Sequence, residues 1–258
     1  MWTRAELKAR AKEALKGSYW KAFLASLVIV IATGGLGGSY NFGGGGGGGG
    51  TSGNSPSFGW NSFSPDGDGS FVWVILAIAL LIGLVVFVIL MAFRILLGYP
   101  LEVGGRLYFK QAAEQDVNLA HIVYSFDKGR YWDIIKAMFW RGLLTFLWYL
   151  LLIIPGIVKT YAYSLVPYIL SDNPNIGYKR AVELSKQMTA GHKFRMWVLD
   201  LSFIGWYLLG LIVFIVGIFF VMPYVDSTKA ELYRTLRRLA IQQGITSEEE
   251  LRLNPPAV

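Results

Sequence analysis

Few side chains in this sequence could do chemistry. Lys159 and Asp200 are ionisable groups inside otherwise apolar stretches, and a charge held at membrane depth is costly enough to mark an ion or substrate path. Pro155, Gly156, Pro167 and Pro223 interrupt the same stretches. A helix broken inside a bilayer frees backbone dipoles that can receive a polar group. These six positions form the candidate site, and the chemistry they suggest is passage or lipid handling. Each has a plainer reading. Lys159 lies within a turn of Pro155-Gly156 and can snorkel to outer headgroups, and Asp200 can pair with Arg195 or Lys193 at the inner interface.

No catalytic constellation is legible. The sequence holds no His-Glu-x-x-His, no Ser/His/Asp set in a recognisable context and no paired carboxylates inside the apolar stretches, so no catalytic residue is assigned and the chain is not expected to be an enzyme. His121 lacks a second ligand at metal spacing, and Asp66-Gly67-Asp68-Gly69 lacks the spaced acids and closing Glu of a calcium loop. No metal or cofactor is expected. Gly43–Gly50 contains G-x-G-x-x-G by repetition alone, without the flanking strand and helix a nucleotide site needs. The absence of cysteine removes disulfides, thiolate zinc sites and thiol catalysis.

The elements that must position these residues follow from composition. With 54% hydrophobic and 16% charged residues, the chain reads as an integral membrane protein. Its apolar blocks are too long for barrel strands, so the backbone must be satisfied within helices. The expected fold class is all-α: a polytopic helical membrane protein of about six transmembrane or partly re-entrant helices, with amphipathic cytoplasmic helices. The net charge of +7 fits Lys and Arg gathered beside the anionic inner leaflet better than nucleic-acid binding. Membrane lipids are therefore the expected partner. Gly205, Gly210 and Gly217 leave open a homo-oligomer or a membrane-protein partner.

In chain order, Thr3-Arg4-Ala5-Glu6 is a capping box that opens an amphipathic interfacial helix over residues 1–18, with Trp2, Tyr19 and Trp20 at headgroup depth; a solvated helix packed on the protein's own loops is the alternative. No cleavable signal peptide is expected. A first span covers 19–33, a Gly-rich extracytoplasmic disordered loop 34–70 and a second span 71–97. The cytoplasmic connection 98–136 opens on a helix break over Gly98 to Arg106 that resumes as a polar segment to about Val117, with Glu102 and Arg106 as a surface pair. Third and fourth segments cover 137–154 and 157–171, turning at Pro155-Gly156. A polar turn at Asp172-Asn173-Pro174 leads into a cytoplasmic amphipathic helix within 172–195, whose apolar stripe is Ala181, Leu184 and Met188. Residues 196–225 form a hairpin of the fifth and sixth segments, and 226–258 a basic C-terminal helix with a frayed tail at Thr246 to Glu250 and Pro255-Pro256. This arrangement puts 23 of the 24 Lys and Arg on the cytoplasmic side with both termini, Lys159 being the exception. Full crossings and re-entrant hairpins stay open alternatives, because the hairpin arms are short for a bilayer.

Trp2-Thr3-Arg4-Ala5-Glu6-Leu7-Lys8, Pro100-Leu101-Glu102-Val103-Gly104-Gly105, Ile154-Pro155-Gly156-Ile157, Ser185-Lys186, Gly191-His192-Lys193, Leu199 to Trp206, and Pro223-Tyr224 followed by Thr228 together resemble the bacterial DUF975 family of integral membrane proteins. The match spans nearly everything outside the Gly-rich loop, which departs from the pattern. The broader layout is similar to that of Yip1-type and glycerophosphodiesterase membrane-domain proteins. The resemblance implies a multi-pass protein of the bacterial cell membrane of uncharacterised role and supplies no catalytic residue. Wedge-like hairpins, basic helices and aromatic anchors favour a non-enzymatic scaffold, membrane-shaping or assembly and regulatory partner; the alternative is a transporter or lipid-handling protein that uses Lys159, Asp200 and the Pro-broken helices.

Overall fold

The computed structural model describes residues 2–33, 70–212 and 216–252. Among these residues every regular element is helical. The expected Gly-rich loop, with Asp66 to Gly69, lies outside them apart from Ser70, as does Pro255-Pro256. By contacts the chain divides into residues 42–93 and the remainder.

The first of these units contributes α3, Ser70–Phe93, a 24-residue helix whose side chains from Trp73 onward are exposed and apolar. At 1.5 Å per residue it is about 36 Å long, enough for a bilayer core of about 30 Å.

The second unit opens on α1, Arg4–Leu15, capped as expected by Thr3, whose Oγ1 accepts from the Glu6 N–H at 3.3 Å. Leu7 and Ala11 are buried because α1 lies against α10. Trp2, expected at headgroup depth, is instead buried with its ring 6.3 Å from that of His192. Gly17, at φ +81°, turns the chain into α2, Tyr19–Thr33, bent by 109° from α1; a side chain is strained in that region, which favours Gly.

Where a helix break was expected over Gly98 to Arg106 the chain stays helical: a wide π turn, Arg94–Gly98, runs directly into α4, Tyr99–Ala112, with Pro100 in its first turn where no helical N–H is required. Nearly all of α4 is buried. Two short 3₁₀ turns lead to α5, Lys128–Leu151, which ends at Leu152 in extended backbone before α6, Ile153–Ala162. The turn of this hairpin is therefore Leu152, not Pro155-Gly156. Pro155 sits in the first turn of α6, a position that tolerates proline, and Gly156 is covered by the Tyr149 ring.

Helices α7, Val166–Asp172, and α8, Tyr178–Met188, follow, with Ala181, Leu184 and Met188 buried as the periodicity requires. The chain ends in α9, Lys193–Ile212, and α10, Val216–Gln242, the latter continuing through Pro223 where two separate elements were expected. Near that proline the Phe220 carbonyl accepts a hydrogen bond of 2.7 Å from the Tyr19 hydroxyl. Thr246 to Glu250, expected to fray, pack back on α8: the Arg180 guanidinium donates to both Glu250 carboxylate oxygens at 2.7 and 3.1 Å, Thr246 donates to Glu250 at 2.7 Å, and the following Leu251 is fully buried.

Among the described residues three helical stretches are long and apolar enough to cross a membrane, Trp73–Ala112, Lys128–Leu151 and Ile153–Asp172, and the bent pair α1 and α2 counts as a fourth if it forms one span.

Candidate functional site

Three charged residues stand on one face of α4 at helical spacing: Glu102, Arg106 and Lys110. All three are buried, with 4%, 1% and 4% of their surface exposed. Burying a charge is costly unless a counter-charge and hydrogen bonds meet it, and each is met from a different helix. Arg141 on α5 reaches Glu102 at 3.3 Å. Asp226 on α10 reaches Arg106 at 2.6 Å and also accepts from the Ser26 hydroxyl of α2 at 2.7 Å. Asp172 at the end of α7 pairs with Lys110. The i,i+4 pair Glu102 and Arg106 is thus not a surface pair, because each residue turns to a partner on another helix.

Asp172, read from sequence as part of a polar turn, is a buried junction. Its carboxylate accepts from Lys110 and from the Tyr233 hydroxyl, and Arg237 approaches at 3.3 Å. The Ser171 hydroxyl lies 3.2 Å from the Lys110 ammonium. Burial first, and then the Asp172 charge, raise the Tyr233 phenol well above its ordinary value, so it remains a donor to the carboxylate. Tyr233 stacks on Tyr168 with centroids 5.1 Å apart, and the Arg106 guanidinium lies 5.4 Å from the Tyr168 ring centre. The ion pairs at Arg106 and Lys110 are therefore bridged by two packed tyrosines.

Small residues let the neighbours come this close. A Cβ at Gly105 would stand 2.4 Å from the Ile29 side chain, and one at Gly104 would stand 2.0 Å from the Ile122 carbonyl oxygen. The charge stripe at every fourth residue, running beside a Gly-Gly pair, is the sequence signal that could have shown α4 to be central.

Of the six positions singled out by sequence, Asp200 joins a cluster. Its counter-ion is Lys229 of α10 at 3.3 Å, not Arg195 or Lys193, and the Tyr161 hydroxyl donates to it at 3.1 Å. A cavity of about 60 Å³ opens beside them, lined also by Arg106, Arg141 and Tyr168. It has room for a few waters at most. Lys159 is not part of this group. It lies half-exposed with its ammonium 4.4 Å over the Trp148 ring. Pro155 and Gly156 belong to the first turns of α6, Pro167 is buried at the start of α7 and Pro223 lies inside α10. The structure does not bring these residues together around one site.

Among the described residues no three His, Asp or Glu side chains gather in an arrangement that could hold a metal ion. His121 pairs with Asp116 at 2.8 Å at the surface. The arrangement on α4 can hold helices α2, α5, α7 and α10 in fixed register through ionic contacts.

No curated protein and no solved structure matches the chain. A family model described as protein of unknown function, DUF975, matches residues 69–240, a segment that takes in all of α4 to α9, nearly all of α10, and each of the buried ion pairs on α4. The chain therefore belongs to the DUF975 family of proteins of unknown function.

Proposed function

We propose that this protein is a non-enzymatic scaffold or shaping element of the bacterial cell membrane, with both termini cytoplasmic, that plants two apolar hairpins as short wedges in one leaflet. The observation that carries this reading is the length of apolar helix beyond the last charge on each arm. Ten residues follow Arg141 to the end of α5, six precede Lys159 in α6, twelve follow Asp200 in α9 and ten precede Asp226 in α10. At about 1.5 Å per residue these arms reach roughly 9 to 18 Å, about half of a hydrocarbon core of about 30 Å. The α5–α6 tip is apolar throughout, with Leu150 76% and Ile154 78% exposed, and Leu208 and Leu209 are exposed near the other tip. Lys8 of α1 contacts the Ser202 carbonyl at 3.2 Å and the Phe203 ring at 4.2 Å, consistent with a water-facing level there.

On this reading the six membrane segments are α2 and α3 together with four hairpin arms that re-enter instead of crossing. The partners are lipids of the anionic inner leaflet, and a further membrane protein where the role is one of assembly. The paired state of Asp200 and the small cavity beside it support a structural role for that aspartate over passage of a substrate.

The test is reconstitution into liposomes at rising protein-to-lipid ratio with vesicle diameter as the readout. Wild type is expected to reduce diameter or form tubules, and Leu152→Lys with Leu209→Lys, each costing about 3 kcal/mol at membrane depth, to abolish the effect. Unchanged vesicles that leak or exchange a solute gradient would favour the transport alternative.

A further inference from the structure

A second, wider cavity lies away from the α4 ion pairs. It is an open groove of about 760 Å³ between the α1–α2 elbow, the end of α4 and the C-terminal half of α10. Five cations line it, Arg10, Lys16, Lys21, Arg234 and Arg238, against two carboxylates, Glu13 and Glu231. Glu231 is occupied by Arg234 at 2.9 Å and by Arg10 at 4.0 Å, while Arg10 also pairs with Glu6 and Arg234 with Glu114. Lys16, Lys21 and Arg238 have no carboxylate within ion-pair distance among the described residues, and Glu13 is the opposing charge on the same wall. Three cations against one carboxylate leave the groove with a positive surplus suited to a phosphate group.

The apolar neighbour of this groove indicates the source of the phosphate. Lys21 is followed along α2 by an exposed apolar face of Leu24 and Ile31, and Trp20, 68% exposed, stands at its head beside Phe220 with ring centroids 6.4 Å apart. Trp at the end of such a face is the usual companion of the headgroup layer. A ligand that fills both surfaces has an anionic phosphate head and an acyl tail.

We propose that this groove binds the headgroup of one anionic phospholipid, with Lys16, Lys21 and Arg238 holding the phosphate and an acyl chain lying along Trp20, Leu24 and Ile31. The assignment rests on α2 facing lipid, as the reading above has it, but makes no use of how deep the hairpins reach. Basic pockets of this kind on the cytoplasmic side of membrane proteins bind anionic headgroups in the same way.

The full-length chain, purified in a neutral detergent, is titrated by native mass spectrometry with phosphatidylglycerol, phosphatidylcholine of the same acyl chains, and inorganic phosphate. Wild type is expected to retain one phosphatidylglycerol in preference to phosphatidylcholine. Lys21→Gln should weaken that preference roughly fivefold, as expected for one surface cation, and Lys16→Gln/Lys21→Gln/Arg238→Gln should remove it, while Lys186→Gln on α8 leaves it intact. Should the triple variant fail to fold, Lys21→Gln against Lys186→Gln decides. Equal retention of the two lipids by wild type, or equal losses from Lys21→Gln and Lys186→Gln, would overturn the assignment. Displacement of the lipid by millimolar inorganic phosphate would show a free-anion site and overturn the lipid source. Hairpins that prove to cross fully would leave this titration unchanged, so the two proposals fail separately.

Discussion

Arg106 of α4 and Asp226 of α10 meet at 2.6 Å with 1% and 0% of their side chains exposed. They are 120 residues apart in the sequence. Removing one partner of such a pair leaves the other charge buried, at a cost of about 3–5 kcal/mol, whereas replacing both with apolar groups of similar volume is often near neutral. Asp226→Asn is therefore expected to lower thermal stability in detergent sharply. Arg106→Met with Asp226→Leu should recover most of the loss, with the Ser26 hydroxyl left without its acceptor. Equal destabilisation by the single and double variants would show that the pair does more than satisfy itself.

Lys159 and Asp200 looked alike from sequence and should behave differently. Asp200→Asn weakens the contact with Lys229, a partly exposed pair with 23% and 16% of the side chains accessible, and is expected to cost about 1 kcal/mol. Lys159→Gln loses a half-exposed cation above Trp148 and should change stability by less than about 0.5 kcal/mol. Chemical unfolding of the two variants in micelles compares them directly.

What the sequence could show here depended on distance along the chain. The capping box at Thr3, the buried stripe of α8 and the long apolar run of α3 are local patterns, and a helix reports them within a few residues. The α4 partners are not local: Arg141, Asp172 and Asp226 lie 39, 62 and 120 residues from the charges they meet, and periodicity carries no information about which helix faces which. Read alone, Glu102 and Arg106 satisfy the i,i+4 rule so well that a surface pair is the natural expectation. Pro155-Gly156 misled for a related reason. Proline is a breaker within a helix but welcome in its first turn, and the true turn, Leu152, carries no turn-forming residue. The docking of the tail is not legible locally because Arg180, which fixes Glu250, sits 70 residues earlier.

The α9–α10 hairpin closes on glycine. A Cβ built at Gly210 would stand 2.8 Å from the Gly217 carbonyl carbon, and one at Gly217 would stand 2.7 Å from the Gly210 Cα. Gly210→Val should force the arms apart toward the ordinary helix spacing of about 8–10 Å. A pulsed-EPR distance between labels at Leu208 and Phe220 should lengthen accordingly. Gly205, with nothing within 4 Å of its Cβ direction, should accept Ala without a change in that distance.

The docking of the tail should be acid-labile. The hydrogen bond from Arg180, helped by Thr246, holds the Glu250 carboxyl below its ordinary value of 4.5. A carboxyl depressed in the folded state contributes stability that is fully present above that value and is lost as pH falls through the lower folded value. Amide exchange of residues 246–251 should therefore be slow at pH 7 and quicken below about pH 4.5, relative to the intrinsic rate. Glu250→Gln should be less protected at neutral pH and lose this dependence. Protection unchanged across the interval would mean that Leu251 burial alone holds the segment.

The reach of the hairpins is the central claim and can be read directly. Nitroxide labels at Leu152 and at Leu209, both exposed apolar positions near the tips, are placed on the otherwise cysteine-free chain in lipid nanodiscs, and their collision rates with oxygen and with a water-soluble nickel chelate are compared. Wedges that end about halfway through the hydrocarbon predict high oxygen and negligible nickel accessibility at both sites. Nickel accessibility at either tip matching that of a label at exposed Lys186 would place that tip in water on a membrane face and contradict the account.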